Sequence, residues 1–213
     1  MASITENLRL WDKEYTWDVN GEEWSAPWGD SKKQWDQLIY PKIKKYLPVE
    51  TILEIAPGRG RWTKFLENHC QKYMGVDLAP SCIDFCKKRF KQEEKFQFYA
   101  NDGLSLSMIP DNSCDFIFSF DSLVHAEIDV FNSYLPQIYK KLRGNGVAFL
   151  HYSNAEGKSN PHYRAKSTSA ASVIACAQKA GLQCCYQETI SWRGCEDLDS
   201  LAIFYREGES CQK

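Results

Sequence analysis

The stretch 51–63, TILEIAPGRGRWT, limits more than any other what this chain can fold into. Ile52, Leu53 and Ile55 make a short apolar run of the kind found in a buried strand, with an acid, Glu54, near its end. Pro57, Gly58 and Gly60 follow as a turn, and a helix is expected to open at Arg61. Glycine tolerates positive φ and lets backbone approach a ligand closely, while the first helical turn presents unpaired N–H groups. Strand, glycine turn and helix in this order predict a nucleotide-binding cradle.

The alternation continues beyond it. A helix over 61–69 leads to a strand at 72–78 (KYMGVDL), and Pro80 starts a helix with an apolar stripe through Ile83, Phe85, Cys86 and Phe90. Strands are expected at 96–101 and 114–121, then a helix over about 131–143 containing Pro136, which starts or kinks its regular part, stopped by Gly144-Asn145-Gly146, then a strand at 147–152. A polar loop, 153–167, precedes an Ala-rich helix over 168–180, and two β-like runs, 184–192 and 199–206, close the chain without a helix between them. Five β/α alternations and a hairpin predict an α/β fold, doubly wound. Its mostly parallel seven-stranded sheet would carry an antiparallel C-terminal hairpin strand, with helices on both faces.

With 213 residues, the chain suits one domain. Residues 51–213 form it, and residues 1–50 read as an aromatic cap, since Trp11, Trp17, Trp24, Trp28 and Trp35 all fall there. Within the cap, the rings around 26–30 either cover the core edge or close over a ligand. Ser31 is the expected cap of a helix whose apolar positions run to Leu47, with Pro48 as its end. No apolar run is long enough to span a membrane, and the first residues lack a targeting pattern, so a cytoplasmic location is expected. A formal net charge of −2 without a long basic run argues against nucleic acid as partner. The nine cysteines include no CxxC pair and read as reduced, mostly buried thiols, with no metal site.

In sheets of this kind, ligands bind at the carboxyl ends of the strands, at the switch point. Those ends supply Glu54, then Asp77, seventeen residues after Gly60, which suits a ribose-binding acid. Asn101-Asp102-Gly103, Ser119-Phe120-Asp121 and His151-Tyr152-Ser153 end the next three strands. A dinucleotide fingerprint fails because Thr63 stands where GxGxxG needs its third glycine, and a phosphate-binding P-loop fails for want of GK[ST].

Taken together, ILEIAPGRGRWTKFL, GVDLAPS, ANDGLSL and CDFIFSFDSLVH resemble, over about residues 50–155, the motifs of class I S-adenosylmethionine-dependent methyltransferases. The resemblance implies S-adenosyl-L-methionine as cofactor. Glu54 and the turn Ala56, Pro57, Gly58 and Gly60 would hold its methionine part, Asp77 with Leu78 the ribose, and Asn101, Asp102 and Gly103 the adenine. Ser119 and Phe120 would lie beside the sulfonium. Ala56 departs from the glycine common in the family.

Methyl transfer needs acceptor and methyl aligned at about 3–3.5 Å, and a hydroxyl acceptor also gains from a base. His125, four residues after Asp121, is the expected base, with Asp121 orienting it or binding the acceptor. His151, Tyr152, His162 and Arg164 are candidate acceptor contacts, and Trp28 and Trp192 candidate pocket walls. Asp121, Glu127 and Asp129 do not match a metal-ligand spacing, so no metal is expected. Ser119-Phe120-Asp121-Ser122 is not the N/D-P-P-Y pattern used on DNA bases. A small-molecule hydroxyl, of a sugar or specialised metabolite, is the expected acceptor. A small amine and a non-catalytic cofactor-binding scaffold are the alternatives.

Overall fold

A computed structural model of the chain describes residues 3–91, 94–158, 162–209 and 211. Ahead of the sheet lie α1 (Ile4–Arg9), which runs into a π-helical turn at Leu10–Glu14, and a 3-10 stretch at Glu22–Trp28. Then come α2 (Ser31–Gln34), a π turn at Trp35–Ile39, α3 (Tyr40–Ile43) and a 3-10 turn at Lys44–Tyr46. The single regular helix expected here is broken into these pieces. Its cap is Asp30, which accepts from the Lys33 N–H at 2.7 Å, while Ser31 is buried inside the first turn.

The αβ part follows as β1 (Val49–Ile55), α4 (Thr63–Leu66), β2 (Cys70–Asp77), α5 (Pro80–Arg89), β3 (Phe96–Ala100) and β4 (Cys114–Ser119). It continues with α6 (Ile128–Lys141), β5 (Leu142–Ser153), α7 (Ala170–Lys179), β6 (Leu182–Trp192) and β7 (Cys195–Arg206). Strand order is β3-β2-β1-β4-β5-β7-β6. The pairs from β3 to β5 are parallel, and β7 runs antiparallel to both β5 and β6. The predicted sheet is therefore the observed one.

Alternation along each strand sends successive residues to two cores. Leu53, Ile117 and Leu150 pack with Phe131, Leu135 and Val173 of α6 and α7. Ile52, Phe116 and Phe149 pack on the other face with Trp35, Leu66 and Cys86. The chain leaves β1 for β2 on one side and returns to β4 on the other, which opens the crevice above the ends of β1 and β4.

Three local expectations are corrected. Gly144-Asn145-Gly146 does not stop α6 but lies inside β5, beside a register shift opposite Cys114 and Phe116. A side chain at Gly146 would come within 2.9 Å of the Cys114 carbonyl, so this glycine serves a close strand contact. Pro136 lies inside α6, well after its start. Cys185 on β6 is disulfide-bonded to Cys211, whereas the other seven cysteines are free thiols as expected. That pairing brings the C-terminal tail back to β6, a tertiary closeness that spacing alone does not encode.

Candidate active site

The turn after β1 is built on left-handed backbone: φ is 59° at Ala56, 57° at Gly58 and 80° at Gly60. A Cβ at Gly60 would stand 2.5 Å from the Phe90 ring, and one at Gly58 would stand 3.0 Å from Trp17. The Gly58 N–H donates to Asp77 Oδ2 at 2.8 Å, tying the turn to the end of β2. Glu54 lies one layer below the cavity wall, not on it, accepting from Thr63 Oγ1 at 2.8 Å and from the Tyr73 hydroxyl. Burial pushes its pKa up to about 7 against the pull of those hydrogen bonds. Thr63, which breaks the dinucleotide fingerprint, thus holds an internal hydrogen bond where a glycine could not.

A cavity of about 1020 Å³ opens over this turn, at the upper end of the roughly 300–1,000 Å³ usual for small-ligand sites. Ala56, Pro57, Gly58, Asp77, Leu78 and Gly103 line one part of it. Asp77 Oδ1 accepts from the Ala79 N–H at 2.8 Å, and burial raises its pKa to about 6. Asn101 and Asp102 support the adjoining turn without reaching the wall. Asn101 donates to the Ser105 carbonyl at 2.8 Å and to Tyr134 at 2.9 Å. The exposed Asp102 accepts from the Leu104 and Ser105 N–H groups at 2.9 and 2.7 Å, which holds its carboxyl below the usual range.

Beyond β4, Phe120 is on the wall, while Ser119 is buried behind it. Asp121 sits at φ 60°, and its N–H donates to His151 Nδ1 at 3.0 Å. Its Oδ2 is 2.7 Å from Arg61 Nη2, and its Oδ1 is 3.7 Å from Arg164 Nη2. Arg164 grips Asp199 with two bonds, 2.9 and 2.7 Å. His151 Nε2 lies 3.2 Å from the same carboxylate. Because Nδ1 accepts from Asp121, the ring proton is assigned to Nε2, facing Asp199. Burial would raise Asp199, but His151 and Arg164 outweigh it and hold the carboxyl low.

This network relocates two expected acceptor contacts. His151 is fully buried between Phe120 and Trp192, with ring centroids 4.4 and 5.4 Å away, so it positions Asp121 from behind. Tyr152 points to the opposite face, edge-on to Phe131, because adjacent strand residues alternate sides. Trp192 does line the cavity, and Trp28 packs behind it at 5.0 Å. His162 and Arg164 line it from the loop after β5.

His125, on the wall, ends a 3-10 turn at Leu123–His125. Its Nδ1 is 2.9 Å from the Tyr163 carbonyl and therefore carries the proton, which leaves Nε2 as the acceptor. Burial and the Arg164 charge push its pKa down to about 4. Asn7 donates to the His125 carbonyl at 2.9 Å, and the Trp11 ring lies 5.3 Å from the imidazole.

The cap meets the cavity earlier in the chain than 26–30. Trp11, Tyr15, Trp17 and Trp24 line it, with Trp24 5.1 Å from both Tyr15 and Trp17. Arg59 lies over Trp17 and Arg61 over Trp24, at 5.4 and 5.3 Å. Ile4 stands over Gly103, and Asp12 Oδ1 accepts from the Ser81 N–H at 2.8 Å. Sequence reasoning passed over Arg61, Asp199 and these rings. A cluster of tryptophans was visible, but not which of them would face inward.

A methyltransferase-domain family matches residues 52–146. Those residues are thus similar to a methyltransferase domain. The fold of the chain is similar to that of the N-methyltransferase NodS from Bradyrhizobium japonicum WM9, solved with S-adenosyl-L-homocysteine. The TM-score is 0.70 at 20% identity, covering 97% of this chain and 99% of that one. Phosphoethanolamine N-methyltransferase of Plasmodium falciparum is 26% identical over 100 residues, 46% of this chain and 37% of the relative. A ribosomal RNA small subunit methyltransferase A of Prochlorococcus marinus is 40% identical over 62 residues, 29% of this chain and 22% of that protein. The matched region thus spans well under half the length of these curated relatives. The turn after β1 has glycines where a Cβ would collide, and a buried acid, Asp77, stands on the cavity wall beside them. Among the described residues, no helix is long and apolar enough to cross a membrane, and no group of three or more His, Cys, Asp or Glu could hold a metal ion.

Proposed function

We propose that this protein transfers a methyl group from S-adenosylmethionine to a small molecule, and that the acceptor atom is an amine nitrogen. The bound cofactor supplies an activated methyl on a sulfonium. Asp77 would bind the ribose hydroxyls, the turn 56–60 the amino-acid part, and Gly103 with Leu78 the base. Asn101 and Asp102 would act through the turn they stabilise. Phe120 and the Trp11–Trp24 rings would exclude water from the transfer.

What favours nitrogen is the setting of His125: its Nδ1 is committed to the Tyr163 carbonyl, and burial with the Arg164 charge lowers its pKa to about 4. A base so weak gives little help to a hydroxyl, whereas an amine attacks through its own lone pair once deprotonated. The two N-methyltransferase relatives point the same way. The hydroxyl reading retains one support, since His125 is neutral at physiological pH with Nε2 free to accept. Asp121, engaged by Arg61, would position the acceptor side. A net charge of −2 favours a small acceptor over RNA, and seven free cysteines suit a cytoplasmic setting, with the Cys185–Cys211 disulfide standing against it.

The test is turnover with small amines against matched alcohols. With an amine, His125→Ala is expected to lower kcat/KM by less than about tenfold. A loss of about 10²–10⁴-fold would restore the hydroxyl reading with His125 as base. Calorimetry showing no affinity for S-adenosylhomocysteine would leave only the scaffold reading.

A further inference from the structure

One corner of the cavity, between the loop after β5 and the turn joining β6 to β7, holds more positive charge than its carboxylates neutralise. Asp121 and Asp199 are already engaged by Arg61 and Arg164. Glu127 accepts from the Lys166 and Ser167 N–H groups and the Ser167 hydroxyl. Arg193 follows Trp192 in the hairpin turn, lines the same cavity and is exposed, with no acidic partner among the described residues. The Lys166 ammonium likewise has none.

His162, which lines the same cavity, has its Nε2 shielded from solvent and without a hydrogen-bond partner. Shielded polar atoms are normally paired. Burial and then the charges of Arg164 and Arg193 hold this imidazole below its ordinary pKa. An unpartnered imidazole nitrogen and two cations without an acidic partner, lining one cavity, are a donor set for a carboxylate or phosphate. The loop bearing them is fixed relative to His125, because the Tyr163 carbonyl is that histidine's partner.

We propose that His162, Lys166 and Arg193 form an anion subsite that binds a carboxylate or phosphate group carried by the methyl acceptor. The proposal rests on the small-molecule methyltransferase reading and narrows its substrate to amines that also bear an anion. Arg164 is not part of the subsite: its charge is held by Asp199 and sets the floor beneath it.

The test is calorimetric titration of the protein saturated with S-adenosylhomocysteine, using inorganic phosphate in one arm and malonate in the other, in chloride-poor buffer. At least one anion is expected to bind, and the arm that binds tighter tells phosphate from carboxylate. Arg193→Gln and Lys166→Gln, both on exposed side chains, are each expected to weaken that binding about tenfold. If S-adenosylhomocysteine binds but neither anion does, or if both variants bind the anion unchanged, the subsite is overturned and the methyltransferase reading stands. If S-adenosylhomocysteine does not bind, the methyltransferase reading itself fails.

Discussion

Ala56 carries a cost that its family's usual glycine would not. At φ 59° its Cβ crowds the backbone, a strain of about 1–2 kcal/mol for an L-residue. Ala56→Gly is expected to raise stability by about 1 kcal/mol, read as a higher urea midpoint at unchanged slope. Glu54 makes the opposite kind of residue. Its folded-state pKa of about 7 lies above the usual 4.5, so the folded protein binds the extra proton. The stability this contributes is fully present below about pH 4.5 and is lost as pH rises through about 7, a change of about 3 kcal/mol for this one buried group. Glu54→Gln is expected to flatten that slope, measured by urea unfolding between pH 5 and pH 8. Thr63 and Tyr73 would then hydrogen-bond a group that cannot ionise.

At the scale of elements, the N-terminal segment packs against the turn after β1 and the start of α5. Ile4 meets Gly103, Asp12 meets the start of α5, and Trp17 meets Gly58, so the segment touches the cavity along its length. Trp17→Ala removes a partly exposed ring from over the glycine turn and leaves both hydrophobic cores intact. It is expected to weaken S-adenosylhomocysteine binding about tenfold with an unchanged far-UV spectrum, measured by calorimetry and circular dichroism. An unchanged affinity would show that the rings only pack against one another. The hairpin of β6 and β7 is the second such element, since it carries Trp192 and Arg193 to the rim while Asp199 stays below in the network.

For the whole molecule, the sheet was legible because strand and helix patterns alternate with clear turn residues between them. The turn under the cavity was legible too, as Gly58, Asp77 and Gly103, which line it, lie in short local motifs. What escaped depends on distance in sequence. His151 looked like a site residue from its strand end, but the β5–β7 pairing sets it beside Asp199 in the interior. Tyr152 fell to the wrong face by a single step of alternation, and Cys185 with Cys211 needed the fold to meet. The Arg61–Asp121 ion pair is of this kind, and under the proposed function it joins two roles. Arg61 follows the turn assigned there to the donor, while its partner stands on the side assigned to the acceptor. Whatever an acceptor does to Asp121 is therefore felt by the donor turn. Linkage then requires the donor to change acceptor affinity by the same factor, so neither dissociation constant of this protein is a property of one ligand alone.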